Sequence, residues 1–286
     1  MTRACCSCLF IVVAGVAPLA GSIAEVNGTR LYYEVQGQGQ PVGLLHGGML
    51  DSRMWDDQFP IFARQYKTIR YDIRRFGRSA IPTSGYSAAD DLHALLKFLE
   101  IDRPVLVGLS VGWRIAIDFA VEHPDMLRAL VLLAPGLSGY RGADDSNQRF
   151  WDRVVAARDE GPAKAVELWL KDPFMAPAME NPAVAAKIRP IAMANSHVFL
   201  VNPFFERDLK PPAIDRLANI RAPTLIVVGD RDVRSIESIA GILDVHIVGS
   251  KKVIIRGSGH MINMEKPEDL NRVVLDFLTT LAAVLP

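Results

Sequence analysis

Apolar residues fall along this chain in two alternating rhythms. Compact runs at Val42 to Leu45, Thr68 to Tyr71, Pro104 to Val107, Ala129 to Leu133, Thr224 to Val228 and Lys252 to Ile255 read as strands. Between them, Ala88 to Glu100 places Leu92, Leu95, Leu96 and Leu99 at helical spacing. Glu268 to Leu281 does the same with Leu270, Val273, Val274, Phe277 and Leu278. Near the start, two extended stretches, Glu25-Val26 and Thr29 to Val35, flank Asn27-Gly28, a pair that closes tight hairpins. Strands that alternate with helices predict a mainly parallel sheet covered by helices on both faces, an α/β fold.

The rhythm breaks from about Gly136 to Ala218. This stretch holds helix-like segments, several prolines and no convincing strand. Aromatic and methionine side chains recur through it: Phe150, Trp151, Trp169, Phe174, Met175, Met179, Met193, Phe199, Phe204 and Phe205. They read as the core of a helical subdomain or, for a few of them, as the apolar lining of a lid over a pocket. The expected organisation is a core over 25–135 and 219–286 with a helical lid over 136–218.

Composition narrows the functional classes. In 286 residues, 32 Lys and Arg balance 32 Asp and Glu, and no basic run stands out, which argues against nucleic acid as a partner. The 3 cysteines, Cys5, Cys6 and Cys8, all lie in the first ten residues, so the rest of the chain has no internal disulfide and no cysteine metal site. Residues 1–24 read as a signal peptide or N-terminal anchor. Arg3 gives a positive start, Ala4 to Ala17 is apolar, and Ser22-Ile23-Ala24 is a small-x-small cleavage site. A cleaved leader would send the chain out of the cytoplasm, to a periplasm or beyond the cell. A retained one would anchor it at a membrane, and a mis-assigned start would leave it cytoplasmic.

The candidate chemistry centres on Gly108-Leu109-Ser110-Val111-Gly112, between the strand run at Pro104 to Val107 and a helix-like segment from Arg114 to Ala120. Strand, Gly-x-Ser-x-Gly and helix form a turn so tight that the serine is strained and its hydroxyl stands at the tip of the sheet. A serine hydroxyl needs a base to take its proton, and the base needs a partner to fix its tautomer. Beyond later strand runs lie Gly229-Asp230-Arg231-Asp232 and Gly257-Ser258-Gly259-His260. All of these candidates follow strands, at the carboxyl end where parallel sheets collect function. Of the 6 histidines, only His260 lies in a glycine-rich loop after the last strand. His93, His123 and His197 fall in helical segments, and His246 in a turn region without a motif.

The chain resembles the α/β-hydrolase superfamily from about Ile23 to its end, in particular the small esterases and enol-lactone hydrolases. The resemblance is carried by Leu44-Leu45-His46-Gly47-Gly48, Tyr71-Asp72-x-Arg74-x-Phe76-Gly77-x-Ser79, the serine turn, Gly229-x-x-Asp232 and Gly259-His260. It implies an eight-stranded, mostly parallel sheet with a helical lid. It further implies Ser110 as nucleophile, His260 as base and Asp232 as its acidic partner, with Asp230 left to steady the turn. The backbone N–H groups of Val111 and Gly48, with Met49 as the alternative to Gly48, would form an oxyanion hole. His46 would brace that loop without moving a proton.

Two positions depart from the family pattern. Trp113 stands where a glycine or small residue is usual, and either packs behind the site or narrows the pocket. Arg75 replaces a common glycine, with an effect expected on a surface loop only. The expected activity is cleavage of carboxylic esters or lactones through an acyl-enzyme, with water as second substrate and neither cofactor nor metal. An acyltransferase, a perhydrolase and a carbon–carbon bond hydrolase would share the triad, and a small-molecule receptor could be built on the same scaffold.

Overall fold

The computed structural model describes residues 21–142 and 146–284. Among these residues eight strands form one sheet: β1 (Ser22–Val26), β2 (Thr29–Gln36), β3 (Pro41–Leu45), β4 (Lys67–Tyr71), β5 (Val105–Ser110), β6 (Ala129–Pro135), β7 (Thr224–Gly229) and β8 (Lys251–Ile255). They lie in the order β1-β2-β4-β3-β5-β6-β7-β8. Only the pairings of β2 with β1 and with β4 are antiparallel. The six strands from β4 to β8 run parallel. The turn joining β1 to β2 uses Asn27 at φ 47° and Gly28 at φ 66°, the positive pair that an Asn-Gly hairpin needs.

The sheet begins earlier than the boundary at 25. Ser22, Ile23 and Ala24 belong to β1, and Ala24 is wholly buried opposite Leu31. Removing residues through Ala24 would therefore strip most of the first strand. The apolar stretch read as a leader lies outside the described residues. No described helix is long and apolar enough to cross a membrane.

Among the described residues ten α-helices accompany the sheet: α1 (Phe59–Phe62), α2 (Ala88–Phe98), α3 (Val111–Glu122), α4 (Ser146–Asp159), α5 (Pro162–Leu170), α6 (Ala176–Glu180), α7 (Pro182–Ala194), α8 (Arg234–His246), α9 (Ile262–Glu265) and α10 (Pro267–Val284). Helix α2 packs on α3, α8 on β6 and β7, and α1 on α10. Strands β5 and β6 are buried almost throughout, which is why they read as unbroken apolar runs. His246 is the last residue of α8, not part of a turn. Its helix carries Ile236, Ile239, Ala240 and Leu243 on the buried side.

Between β6 and β7 the chain leaves the sheet. Helices α4 to α7 and short helical turns fill this interval, and none of the eight strands lies within it. The interval returns to the core through Ala213–Asn219, a short helical turn packed on α3 and α8. Asn195 ties the insertion down. Its side chain donates to Asp51 Oδ2 at 2.9 Å and to the Ile191 carbonyl at 2.9 Å, and accepts from the Gly77 N–H at 2.7 Å.

Candidate active site

Ser110 sits at φ 54°, ψ −108°, the cap between β5 and α3. For a residue with a Cβ this backbone costs about 1–3 kcal/mol and persists only where its surroundings enforce it. Here they do. A methyl group on Gly112 would strike the Leu45 carbonyl, and one on Gly108 would strike the backbone of Gly112 and Trp113. Both glycines are thus fixed by the closeness of strand and helix.

Strands β7 and β8 are neighbours, and the loops beyond their carboxyl ends bring Asp232 and His260 together. His260 Nδ1 lies 2.9 Å from Asp232 Oδ2, and both side chains are buried. With Nδ1–H donated to the carboxylate, Nε2 is left as an acceptor. Asp232 Oδ1 accepts from the Val233 N–H at 2.8 Å, which holds the carboxylate in place. Asp230 is not part of this pair; it accepts from the Gly257 N–H at 2.7 Å and joins the two loops. Ser110 and His260 line the same two cavities, although no hydrogen bond joins their side chains here. Such bonds are often long in unliganded enzymes.

His46 is fully buried. Its Nδ1 donates to the Gly47 carbonyl at 2.8 Å, and its Nε2 accepts from the Ile73 N–H at 2.9 Å. Burial holds this imidazole below its ordinary pKa, and the two bonds fix it as a neutral brace between loops. In the loop it supports, Gly47 N–H points to Met54 Sδ and Leu50 N–H to the Gly47 carbonyl. The N–H groups of Gly48 and Met49 find no acceptor among the described residues. Met49 sits at φ 63°, and both residues share a cavity wall with Val111, the first residue of α3.

The inner of the two cavities holds about 260 Å³ and is walled by Phe76, Phe150, Trp169, Val198 and Phe199. The outer, of about 600 Å³, is bordered by Tyr140, Arg149, Ser235 and Ile239. Phe174 lines both, its ring 4.9 Å from that of His260. Of the aromatic residues picked out in the insertion, Phe150, Trp169, Phe174 and Phe199 reach the inner cavity. Met175 is core, and Phe204 is 77% exposed. Among the described residues, no three His, Cys, Asp or Glu side chains cluster as a metal site requires.

Residues 44–273 match the alpha/beta hydrolase family. The chain belongs to that family. A Synechocystis sp. protein named "Putative non-heme chloroperoxidase" is 32% identical over 264 residues, spanning 87% of this chain and 94% of its own. Among solved structures, a malate-bound thermophilic esterase from Thermogutta terrifontis superposes with a TM-score of 0.76 at 27% identity, covering 92% of this chain and 99% of that one. The enol-lactonase from Burkholderia xenovorans LB400 gives a TM-score of 0.74 at 25% identity, covering 90% and 100%.

The two departures from the family pattern resolve differently in this hydrolase. Trp113 is wholly buried in the core and lines neither cavity, so it packs behind the serine turn. Arg75 corrects the surface-loop expectation. It is only 8% exposed, sits at φ 81° and reaches into the inner cavity wall. The loop bends inward there because the Arg75 carbonyl accepts from His197 Nε2 at 3.0 Å and the Arg75 guanidinium donates to the Val198 carbonyl at 3.1 Å.

Sequence reading also missed Glu265. Its carboxylate accepts from the Gly259 N–H at 2.8 Å and the Met261 N–H at 3.0 Å, one on each side of His260. Burial raises this carboxyl above its ordinary range, against the pull of those two bonds. Glu265 lies five residues beyond the histidine in an ordinary helical stretch, and nothing in local spacing distinguishes it.

Proposed function

We propose that the protein is a serine hydrolase that cleaves carboxylic esters or lactones through an acyl-enzyme on Ser110. The His260–Asp232 bond at 2.9 Å, beside a serine held in a strained turn, is the observation that carries this reading. His260 Nε2 takes the hydroxyl proton as Ser110 Oγ bonds to the acyl carbon, and Asp232 steadies the imidazolium. The developing oxyanion is received by the N–H of Val111 and that of Gly48. Collapse breaks the ester bond and passes the proton from His260 to the leaving oxygen. Water, deprotonated by the same imidazole, then releases the acid and restores Ser110. Likeness to an esterase and an enol-lactonase supports the substrate class.

The test is hydrolysis of p-nitrophenyl acetate and butyrate by the protein and by Ser110→Ala, together with labelling by a fluorophosphonate probe. Turnover and labelling that both vanish in Ser110→Ala are expected. Tight ligand binding with no turnover and no labelling would instead make the protein a receptor. The chloroperoxidase named among its relatives suggests a second acyl acceptor, hydrogen peroxide in place of water, which would release a peracid from the same acyl-enzyme. Peroxide-dependent peracid formation from an added ester or acid tests that second reading directly.

A further inference from the structure

The inner cavity is the side of the serine that receives the acyl group, because Gly48 and Val111, the proposed oxyanion donors, form its wall and not that of the outer cavity. Beyond Ser110 and His260, its lining is aromatic and aliphatic except for four charged side chains: Arg75, Arg114, Arg153 and Glu206. Two of the arginines already hold carboxylates. Arg114 bonds to Glu206 and lies 3.6 Å from Asp118, and Arg153 shares Asp172 with Arg149.

Arg75 has no such partner. Its guanidinium, with five N–H donors, donates to the Val198 carbonyl, faces the Phe76 ring at 5.8 Å and lies beside the Tyr86 hydroxyl, while Nε is buried without an acceptor. The Glu206 carboxylate feels its charge, but that carboxylate is bonded by Arg114, which with Arg75 draws its pKa down against the upward push of burial. A buried donor left unpaired destabilises a fold, and Arg75 also holds a left-handed backbone at a place where a glycine would be unstrained. A buried guanidinium that holds no carboxylate and has donors to spare, at the wall of a cavity lined largely by aromatic and aliphatic side chains, matches a carboxylate, which takes two parallel N–H bonds from a guanidinium.

We propose that Arg75 is a specificity-determining residue that binds a carboxylate at the far end of the acyl group, so that the preferred substrates are half-esters of dicarboxylic acids or lactones that carry a free carboxylate. This rests on the serine-hydrolase reading above for the identity of the acyl side. The arginine forms no bond to reacting atoms. It anchors the acyl chain while Ser110 acts on the other end.

The experiment compares kcat/KM for monomethyl succinate, glutarate and adipate with neutral methyl esters in which an isopropyl group replaces the carboxylate. In the wild type the charged ester should be favoured by at least tenfold at one chain length or more. In Arg75→Met, which keeps the aliphatic stem, the ratio of charged to neutral should fall roughly 10- to 100-fold, the loss of one charged hydrogen-bonding pair. Arg75→Lys should recover part of the ratio. No charged-ester preference in the wild type, or a ratio unchanged in Arg75→Met because both esters lose activity equally, would overturn the proposal. Turnover that survives Ser110→Ala, or no turnover of any ester, would overturn the serine-hydrolase reading instead. Binding of glutarate by calorimetry then decides the role of Arg75 alone: weakening by tenfold or more in Arg75→Met supports it, and equal binding or none in the wild type refutes it.

Discussion

His260 Nδ1 and Asp232 Oδ2 are joined at 2.9 Å, whereas the carboxylate of Asp230, two residues earlier, is turned to the Gly257 N–H. Neighbouring acids on one loop therefore divide two tasks. Asp232→Asn should leave the fold intact and lower kcat by on the order of 10³–10⁴, because an amide cannot hold the imidazole in the tautomer that accepts the serine proton. Asp230→Asn should cost about 1 kcal/mol of stability and little activity. Esterase kinetics with circular dichroism on both variants checks the division; activity lost in Asp230→Asn and kept in Asp232→Asn would reverse it.

Glu265 positions His260 by gripping the backbone on either side of it. Glu265→Ala should reduce kcat more than it raises KM, since the imidazole loses its fixed orientation while the acyl cavity is untouched. Glu265→Gln keeps one acceptor oxygen and should restore part of kcat. A change confined to KM would show that the residue does not act through His260.

What could be read in advance follows from the range over which each constraint acts. Gly108, Ser110 and Gly112 were legible because one tight turn imposes all three residue types within five positions. Parallel strands deliver the loops of Asp230, Asp232 and His260 to one edge, but the choice of Asp232 over Asp230 came from the family resemblance alone. The bonds Arg75–Val198 and Asn195–Asp51 cross 123 and 144 positions, and no local periodicity records them. The surface assignment of Arg75 failed for that reason: its burial is created by an insertion whose path the sequence pattern does not trace. His246 reads as part of a turn region because the lone glycine at 241 interrupts the helical spacing of Ile236, Ile239, Ala240 and Leu243.

Trp113 supplies a test of packing against specificity. Its indole is fully buried behind the serine turn and touches neither cavity. Trp113→Ala should lower stability by roughly 3–5 kcal/mol through the cavity it leaves. The rank order of acyl chain lengths hydrolysed should not change. Denaturant melts and a p-nitrophenyl ester series measure the two effects separately, and a reordered acyl preference would return Trp113 to the pocket wall.

Asn195 connects the helical insertion to the core through three bonds at once. Asn195→Ala strands the Gly77 N–H and takes a donor from the buried Asp51 carboxylate, whose low pKa persists against burial because Arg53 and Asn195 bond to it. A loss of about 2–3 kcal/mol is expected. It should appear with faster proteolysis between β6 and β7 than elsewhere. Uniform cleavage across the chain would mean that the insertion is held by its apolar contacts alone.

Asp118 makes stability depend on pH in a direction opposite to that of most ion-paired carboxylates. Burial in α3 pushes its carboxyl up to about 6 from an ordinary 3.8, although Arg114 and the Ser138 hydroxyl pull the other way. The folded protein therefore binds this proton more tightly than the unfolded chain. Below pH 3.8 both states carry it and the group has no effect. Between 3.8 and 6 the unfolded state alone ionises, so stability falls as pH rises, and above 6 the full penalty of up to about 3 kcal/mol is in place. Asp118→Asn has no such proton to release, and its lost contact with Arg114 shifts stability by an amount nearly independent of pH. The stability of Asp118→Asn relative to wild type should thus climb between pH 4 and pH 7 and level off above that. Urea unfolding of both proteins across this range measures the difference, and a flat difference would mean that the Asp118 carboxyl titrates in the folded protein as it does in the unfolded chain.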